Sequence, residues 1–180
     1  MLKEILEYNK KFVQEERYKE FQTDKYPSKK TAILACMDTR LTALLPAALG
    51  LKNGDVKLIK NAGAVVSHPY GSVIHSLIVA IYELGVEEIL VIGHDDCGMQ
   101  HMNSEKLIEK MHGYGITDVD IARSDGATGG IEEWLVGFQN VEDAVSGSVE
   151  IIKKHPLIPK NIRIFGLIMN PETGEVRQVV

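Results

Sequence analysis

Short apolar runs alternate with helical segments through the middle of the chain, and this alternation restricts the folds that the chain can adopt. The apolar runs have the length of buried strands, and the segments between them have helical spacing and end at glycines. The predicted elements, in chain order, are Thr31–Ala35, Leu41–Leu49, Val56–Ile59, Gly71–Leu84 and Glu88–Ile92. Strand–helix–strand alternation is typical of a parallel sheet covered by helices. The sequence therefore predicts an α/β fold.

The second half of the chain should complete this sheet. A fourth parallel strand is predicted at Ile162–Met169, and residues 175–180 should add a C-terminal edge strand after a turn. Three further helices are predicted over residues 104–111, 131–138 and 141–154. No linker or internal repeat interrupts the pattern, so residues 1–180 should form a single domain with about four parallel strands plus the edge strand.

Two segments of this domain are less regular. Residues 1–25 predict a helical arm, because apolar residues recur near helical spacing up to about residue 20. The arm could dock on a partner or pack on its own domain, and the sequence does not decide between the two. Residues 101–130 are rich in glycine and should form a variable region of loops and helix.

Composition and charge exclude several classes of protein. The net charge of −5 argues against nucleic-acid binding, which favours basic surfaces. The longest apolar stretch, Val73–Tyr82, is too short to cross a bilayer, and the charged N-terminus lacks the apolar core of a secretory signal. We therefore expect a cytoplasmic protein that binds neither membrane nor nucleic acid. A disulfide between its two cysteines would be unusual in that compartment.

Those two cysteines stand where predicted strands end. Cys36 follows the first strand, with Asp38 and Arg40 at the next alternate positions, and His94 and Cys97 follow the third strand. If the first strand lies between the second and the third, all of these residues meet at the carboxyl end of the sheet, where ligands of open α/β sheets bind. Two thiolates and one imidazole are three of the four ligands of tetrahedral zinc. The pattern favours a zinc enzyme with one open position.

Other interpretations of the same residues remain. Each cysteine could be a small buried residue, and Asp38 could cap the helix that begins near Leu41. A closed structural zinc site would need a fourth strong ligand, for which His68 and His101 are the available histidines. A redox role fits poorly, because the cysteines are 61 positions apart and form no Cys-x-x-Cys motif.

Together the motifs resemble those of the β-class carbonic anhydrases. The resemblance rests on Cys36, Asp38 and Arg40, on the turn Asn61-Ala62-Gly63, and on His94-x-x-Cys97-Gly98. It covers about residues 30 to 100, is looser through the last strand, and is closest to the short bacterial and archaeal branch. It implies a parallel sheet flanked by helices, a homodimer or a dimer of dimers, and active sites near the dimer interface.

The resemblance also marks one departure. Members of the family that are regulated by non-catalytic bicarbonate carry a tryptophan three residues before the first cysteine and an arginine before the asparagine turn. This chain has Ile33 and Lys60 at those places. We therefore do not expect this regulation here.

The reaction implied by the resemblance is the reversible hydration of carbon dioxide to bicarbonate and a proton by a zinc-bound hydroxide. Asp38 would accept a hydrogen bond from the hydroxide, and Arg40 would hold the Asp38 carboxylate. Alternatively, Asp38 could itself bind zinc as the fourth ligand. Because two anionic thiolates offset the charge of the metal, activity should rise through the mildly alkaline range.

Substrate contacts and proton transfer are assigned more coarsely. Backbone N–H groups near Gly63 and Gly98 could receive the bicarbonate charge, and Ala64 and Val66 could form apolar walls. The candidate proton carriers are His68, Tyr70, His75 and His101. Two alternative functions stay open: a hydrolase of carbon disulfide or carbonyl sulfide on the same scaffold, and a non-catalytic zinc-binding protein whose site Asp38 closes.

Overall fold

The computed structural model describes the backbone of residues 1–180 and the side chains of residues 1–124 and 129–180. Its centre is a five-stranded sheet with the order β2-β1-β3-β4-β5. The strands are β1 (Thr31–Cys36), β2 (Val56–Asn61), β3 (Glu88–His94), β4 (Arg163–Met169) and β5 (Val176–Gln178). The first four are parallel, and β5 pairs antiparallel with β4. The predicted fold class and the position of the first strand between the second and the third are confirmed.

Seven α-helices accompany the sheet. They are α1 (Leu2–Gln14), α2 (Leu41–Ala48), α3 (Ser72–Tyr82), α4 (Ser104–Gly113), α5 (Asp118–Thr128), α6 (Ile131–Leu135) and α7 (Val141–Lys154). Helix α3 packs against β1 and β2, and α7 packs against β3 and β4. None of the helices, over the residues that the structure describes, is both long and apolar enough to cross a membrane.

Helix α7 approaches the sheet closely because two strand positions lack a side chain. A Cβ atom at Gly93 of β3 would lie 2.7 Å from a methyl carbon of Val145 on α7. A Cβ atom at Gly166 of β4 would lie 2.7 Å from the other methyl carbon of the same valine. Val145 and Val149 of α7 are fully buried at this contact. The two glycines therefore set the position of α7, whose first turn reaches the carboxyl end of β3.

Several elements differ from the sequence prediction, and four of them bear on the site or on the region before it. Strands β2 and β3 each run two residues further than expected, and so reach Asn61 and His94. Helix α5 occupies a segment expected to be irregular, where glycines and charged residues obscure the helical pattern. Helix α6 ends at Leu135 and not at Phe138, because the N–H of Gly137 bonds the Met102 carbonyl oxygen at 3.1 Å and the chain turns extended.

The N-terminal helix α1 is amphipathic, yet none of its residues is buried. Its apolar side chains stay exposed, with Leu2 at 71% and Leu6 at 60% of their full accessibility. The ring of Phe12 packs near the ring of Phe21, with 6.1 Å between the two centroids. Phe21 belongs to the short 3-10 helix Arg17–Phe21 that follows α1. The structure thus does not support the interpretation that the arm packs on its own domain.

Candidate metal centre

The carboxyl end of the sheet brings three potential metal ligands together. Cys36 is the last residue of β1, His94 is the last residue of β3, and Cys97 lies in the loop that follows. The two sulfur atoms are 3.8 Å apart, and the three donor atoms all lie within 4.8 Å of one another. All three residues are buried, and both cysteines are free thiols. The convergence expected from the strand order is therefore present.

The His94 ring is oriented by its own neighbour. The Nδ1–H group donates to the backbone carbonyl oxygen of Asp95 at 2.7 Å. This bond leaves Nε2 as the free nitrogen, and Nε2 is buried without a hydrogen-bond partner among the described residues. A buried imidazole nitrogen without a partner is costly unless it binds something, and metal-binding histidines commonly anchor their other nitrogen on a carbonyl. The site therefore fits a metal ion.

The ionisation of the trio points the same way. The Cys97 thiol donates to the Cys36 sulfur and, with help from His94 and the backbone N–H groups of Asp38 and Gly63, lowers the pKa of Cys36. The interaction with Cys36 raises the pKa of Cys97 in turn. One thiolate thus forms readily, whereas a second one 3.8 Å away would need a cation to balance it. A divalent metal supplies that charge.

His94 responds to the same sulfur. Burial by itself lowers the pKa of His94, but contact with the Cys36 sulfur and the Asp95 carbonyl outweighs burial, and the pKa is raised overall. The protein part of the site therefore attracts positive charge. A bound metal ion would replace the proton on His94.

Asp38 and Arg40 stand next to the trio. Asp38 Oδ2 lies 3.7 Å from His94 Nε2 and accepts a hydrogen bond from Arg40 Nη2 at 2.9 Å. Asp38 Oδ1 accepts from Arg40 Nε at 3.1 Å and from the Arg40 backbone N–H at 2.9 Å. These bonds lower the pKa of Asp38 to about 2, so the group stays ionised above mildly acidic pH. Both carboxylate oxygens are thus held by Arg40.

Arg40 also connects the two motifs. Its Nη1 donates to Asp96 Oδ2 at 2.9 Å, and its Nη2 donates to the Asp96 carbonyl oxygen at 2.9 Å. The contacts with Asp38 and Asp96 raise the pKa of Arg40, which therefore remains a cation. The loop that carries Cys97 is fixed to the loop that follows Cys36. The role of Asp96 could not be predicted from the sequence, because nothing in its spacing relates it to Arg40.

The four residues expected to contact substrate lie in different surroundings. Gly63 has a φ of 77° and is packed so closely that a Cβ atom would lie 2.9 Å from Phe138 Cε1. Ala64 is buried, and buried Val66 donates its backbone N–H to Ser148 Oγ at 3.0 Å. A Cβ atom at Gly98 would have no neighbour within 4 Å, so this backbone faces open space.

A cleft of about 470 Å³, which the sequence does not predict, opens beside these residues. Its walls are mainly apolar and include Val66, Met99, Trp134 and Phe138. Helices α6 and α7 bring the distant walls to the Asn61–Val66 segment only through the tertiary fold. Sequence periodicity carries no signal for such a cleft.

None of the four proton-carrier candidates belongs to the donor trio in the part of the chain that is described. His68 Nδ1 accepts from the Tyr70 backbone N–H at 3.0 Å, and His101 Nδ1 is 2.8 Å from Gln139 Oε1. His75 lies on the exposed side of α3. These contacts assign no transfer path to any of the four.

Comparison with known proteins places the chain in one family. A family model described as carbonic anhydrase matches residues 31–176. The Bacillus subtilis (strain 168) protein named "Putative carbonic anhydrase YvdA" is 50% identical over 179 residues, which is 99% of this chain and 91% of that protein. The carbon disulfide hydrolase of Acidithiobacillus thiooxidans is 31% identical over 153 residues, or 81% of this chain and 74% of that protein.

A solved structure extends the similarity to the whole fold. The crystal structure of β-carbonic anhydrase isoform I from Trichomonas vaginalis matches with a TM-score of 0.90 and 36% identity, covering 100% of this chain and 97% of that one. The family model alone covers most of the chain. The chain therefore belongs to the β-carbonic anhydrase family.

Proposed function

We propose that this protein is a zinc-dependent carbonic anhydrase that interconverts carbon dioxide with bicarbonate and a proton. The observation that carries the proposal is the buried trio of Cys36, His94 and Cys97, whose imidazole Nε2 has no partner among the described residues. Membership in the β-carbonic anhydrase family supports it. The donor set of two sulfurs and one nitrogen suits zinc.

In this proposal the protein ligands are the Sγ atoms of Cys36 and Cys97 and the Nε2 atom of His94. When bound, zinc supplies Lewis acidity that makes a water molecule a nucleophile near neutral pH. Burial of the three ligands keeps bulk water from competing for them. The Asp95 carbonyl oxygen keeps His94 in the tautomer that exposes Nε2.

Asp38 has the role of orienting the reacting water. As a permanent carboxylate 3.7 Å from His94 Nε2, it can accept a hydrogen bond from that water and turn the oxygen towards the carbon of carbon dioxide. Arg40 occupies both carboxylate oxygens, which disfavours Asp38 as a fourth metal ligand. The catalytic pair is therefore Asp38, which contacts the reacting group, and Arg40, which positions it.

The substrate contacts proposed are Gly63, Ala64, Val66 and Gly98. Val66 is a wall of the apolar cleft, which suits an apolar triatomic substrate. The Gly98 backbone is open and can approach an anionic product closely. The Gly63 N–H is directed at the Cys36 sulfur and stabilises the thiolate. In this proposal Gly63 therefore supports a metal ligand as well as lining the substrate site.

A second candidate is the hydrolysis of carbon disulfide or carbonyl sulfide. The similarity to a carbon disulfide hydrolase favours this candidate. Carbon dioxide and carbon disulfide are both linear and apolar, and the ligand motif alone does not select between them. A third candidate, a non-catalytic zinc protein closed by Asp38, is disfavoured by the two-oxygen grip of Arg40.

We further propose a cytoplasmic homodimer, or a dimer of dimers, with no membrane or nucleic-acid partner. The exposed apolar side chains of α1 support association with a second copy, because a soluble chain rarely leaves such a stripe in water. Two free thiols 3.8 Å apart fit a reducing compartment.

Stopped-flow hydration of carbon dioxide by the zinc-loaded protein at pH 7 and 8.5 tests the proposed reaction, with Cys97→Ser as the ligand control. The proposal expects turnover that is faster at pH 8.5 and is lost in the variant. Turnover of carbon disulfide without turnover of carbon dioxide would favour the second candidate. One zinc per chain with neither activity would favour the closed, non-catalytic site.

A further inference from the structure

The hydrogen bond that orients His94 depends on the position of a single residue, Asp95. The Asp95 carbonyl oxygen accepts from His94 Nδ1 at 2.7 Å, and the Asp95 N–H donates to the Met169 carbonyl oxygen at 3.1 Å. Asp95 lies immediately beyond the end of β3, where the ladder with β4 stops. A displacement of Asp95 would therefore remove the anchor of the His94 ring.

The side chain of Asp95 is held by an arginine from the last strand. Arg177 of β5 donates from Nη1 to Asp95 Oδ2 and from Nη2 to Asp95 Oδ1, each at 3.0 Å. Its Nη2 also donates at 2.8 Å to Glu142 Oε1, in the first turn of α7. A two-pronged arginine–carboxylate contact fixes orientation as well as distance. Arg177 thus joins β5, α7 and the loop that carries His94.

Two negative side chains face each other across this arginine. The Arg177 guanidinium lowers the pKa of Glu142, and the nearby charge of Asp95 opposes that effect. Without the guanidinium, the Asp95 and Glu142 carboxylates would repel each other. Asp95 lies on a loop and Glu142 on a helix, so the loop should move. Half-exposed ion pairs contribute little to overall stability, so the main consequence should be local.

We propose that Arg177 is a positioning residue for the metal ligand His94, and that it acts through the Asp95 side chain and carbonyl. The inference rests on the proposed zinc site and assigns a role to the C-terminal strand within it. It is distinct from the role of Arg40, which holds Asp38 and Asp96 on the other side of the same loop. The His94–Cys97 loop is thus held by an arginine at each of its two aspartates.

The test measures how firmly the holoprotein keeps its zinc. Arg177→Gln is compared with Arg163→Gln, a matched control, because Arg163 Nε donates to Glu88 Oε2 at 3.0 Å at the opposite end of β3. Zinc transfer to an excess of a chromogenic chelator gives the rate of loss, and thermal unfolding of each holoprotein shows whether the fold is intact.

We expect Arg177→Gln to lose zinc roughly 10-fold faster than the wild type, as found for outer partners of metal-binding histidines. Arg163→Gln should lose zinc at the wild-type rate. Arg177→Lys should recover part of the difference, because lysine restores the charge but not the two-pronged geometry. If the Arg177 side chain acted only through its aliphatic stem, Arg177→Lys should lose zinc at the wild-type rate. A rate between those of the wild type and Arg177→Gln identifies the two-pronged geometry as the missing part.

Equal rates of zinc loss in the wild type and Arg177→Gln would overturn the positioning role and leave the zinc site intact. If Arg177→Gln does not fold, Asp95→Ala removes the whole side chain that Arg177 holds, and the same criterion applies to it. A wild-type protein that binds no zinc would overturn the proposed function and this inference together.

Discussion

Two regions of the molecule are built in opposite ways. One is the rim at the carboxyl end of the sheet, which consists of the ends of β1 and β3 and the residues that follow them, and the other is helix α1. The rim is tied by hydrogen bonds around the buried residues Cys36, His94 and Cys97, and Arg40 and Arg177 bind the successive aspartates Asp96 and Asp95. Helix α1 has no buried residue and exposes its apolar side chains. The proposed metal site therefore has all three protein ligands within one chain, whereas the proposed dimer would supply the surface that covers α1.

Removal of a metal ligand should have the largest effect and should leave α1 untouched. We expect His94→Gln to lose zinc and to lower kcat/KM by roughly 100-fold or more, because the Lewis acid supplies several kcal/mol of transition-state stabilisation. The measurements are zinc per chain and stopped-flow hydration. The control is His112→Gln, because His112 lies on α4, contacts Asp118 and is outside the trio. An active, zinc-free His94→Gln would refute the assignment.

Substitution of Asp38 should separate catalysis from metal binding. Asp38→Asn should keep zinc but lower kcat by roughly 100-fold, because an amide is a poorer acceptor and its NH2 group opposes the water. Asp24→Asn, an exposed aspartate away from the rim, serves as control. Loss of zinc in Asp38→Asn would instead indicate that Asp38 is a ligand.

The pH dependence should come from the site water and not from Asp38. The two thiolate ligands offset the charge of a divalent ion, so the site water should lose its proton at mildly alkaline pH. We expect kcat to rise by about 10-fold as pH increases from 7 to 8.5. Because Arg40 lowers the pKa of Asp38 to about 2, this carboxylate is already ionised at pH 5 and its charge is constant through the rise. A flat profile from pH 6 to 9 would contradict this account.

A charge on the apolar stripe of α1 should change assembly and spare the metal. Leu6→Asp should yield a monomer by light scattering while zinc per chain stays at the wild-type value, because the stripe loses its partner. Gln14→Asp introduces the same charge on the polar side of α1 and should leave the mass unchanged. A Leu6→Asp protein with the wild-type mass would show that another surface holds the subunits together.

The same contrast explains what the sequence could predict. Strands β1 and β3 were predictable because their apolar runs are continuous. Cys36 and His94 stand at the ends of these strands, and their meeting requires only that β1 and β3 are neighbours in the sheet. Arg177 was not predictable, because its pairing with Asp95 crosses 82 positions of sequence and depends on the antiparallel return of β5. The Phe138–Gly63 contact is likewise set by packing and has no local pattern.

Two helices differ from the prediction for different reasons. Helix α6 was predicted to reach Phe138, but that residue accepts a backbone hydrogen bond from His101 at 2.8 Å and takes an extended form. Helix α5 was missed because its charges and glycine resemble a loop composition. In α6, tertiary hydrogen bonds override the helical spacing of the sequence. In α5, the helix propensity of the sequence is too weak to predict the helix.

Zinc K-edge X-ray absorption of the wild-type holoprotein tests the central claim most directly. The account predicts two sulfur ligands at about 2.3 Å and two lighter ligands at about 2.0–2.1 Å, one of them an imidazole nitrogen. The same first shell in Asp38→Asn would identify the fourth ligand as solvent. A wild-type shell without sulfur, or with a single sulfur, would contradict the Cys36–His94–Cys97 site.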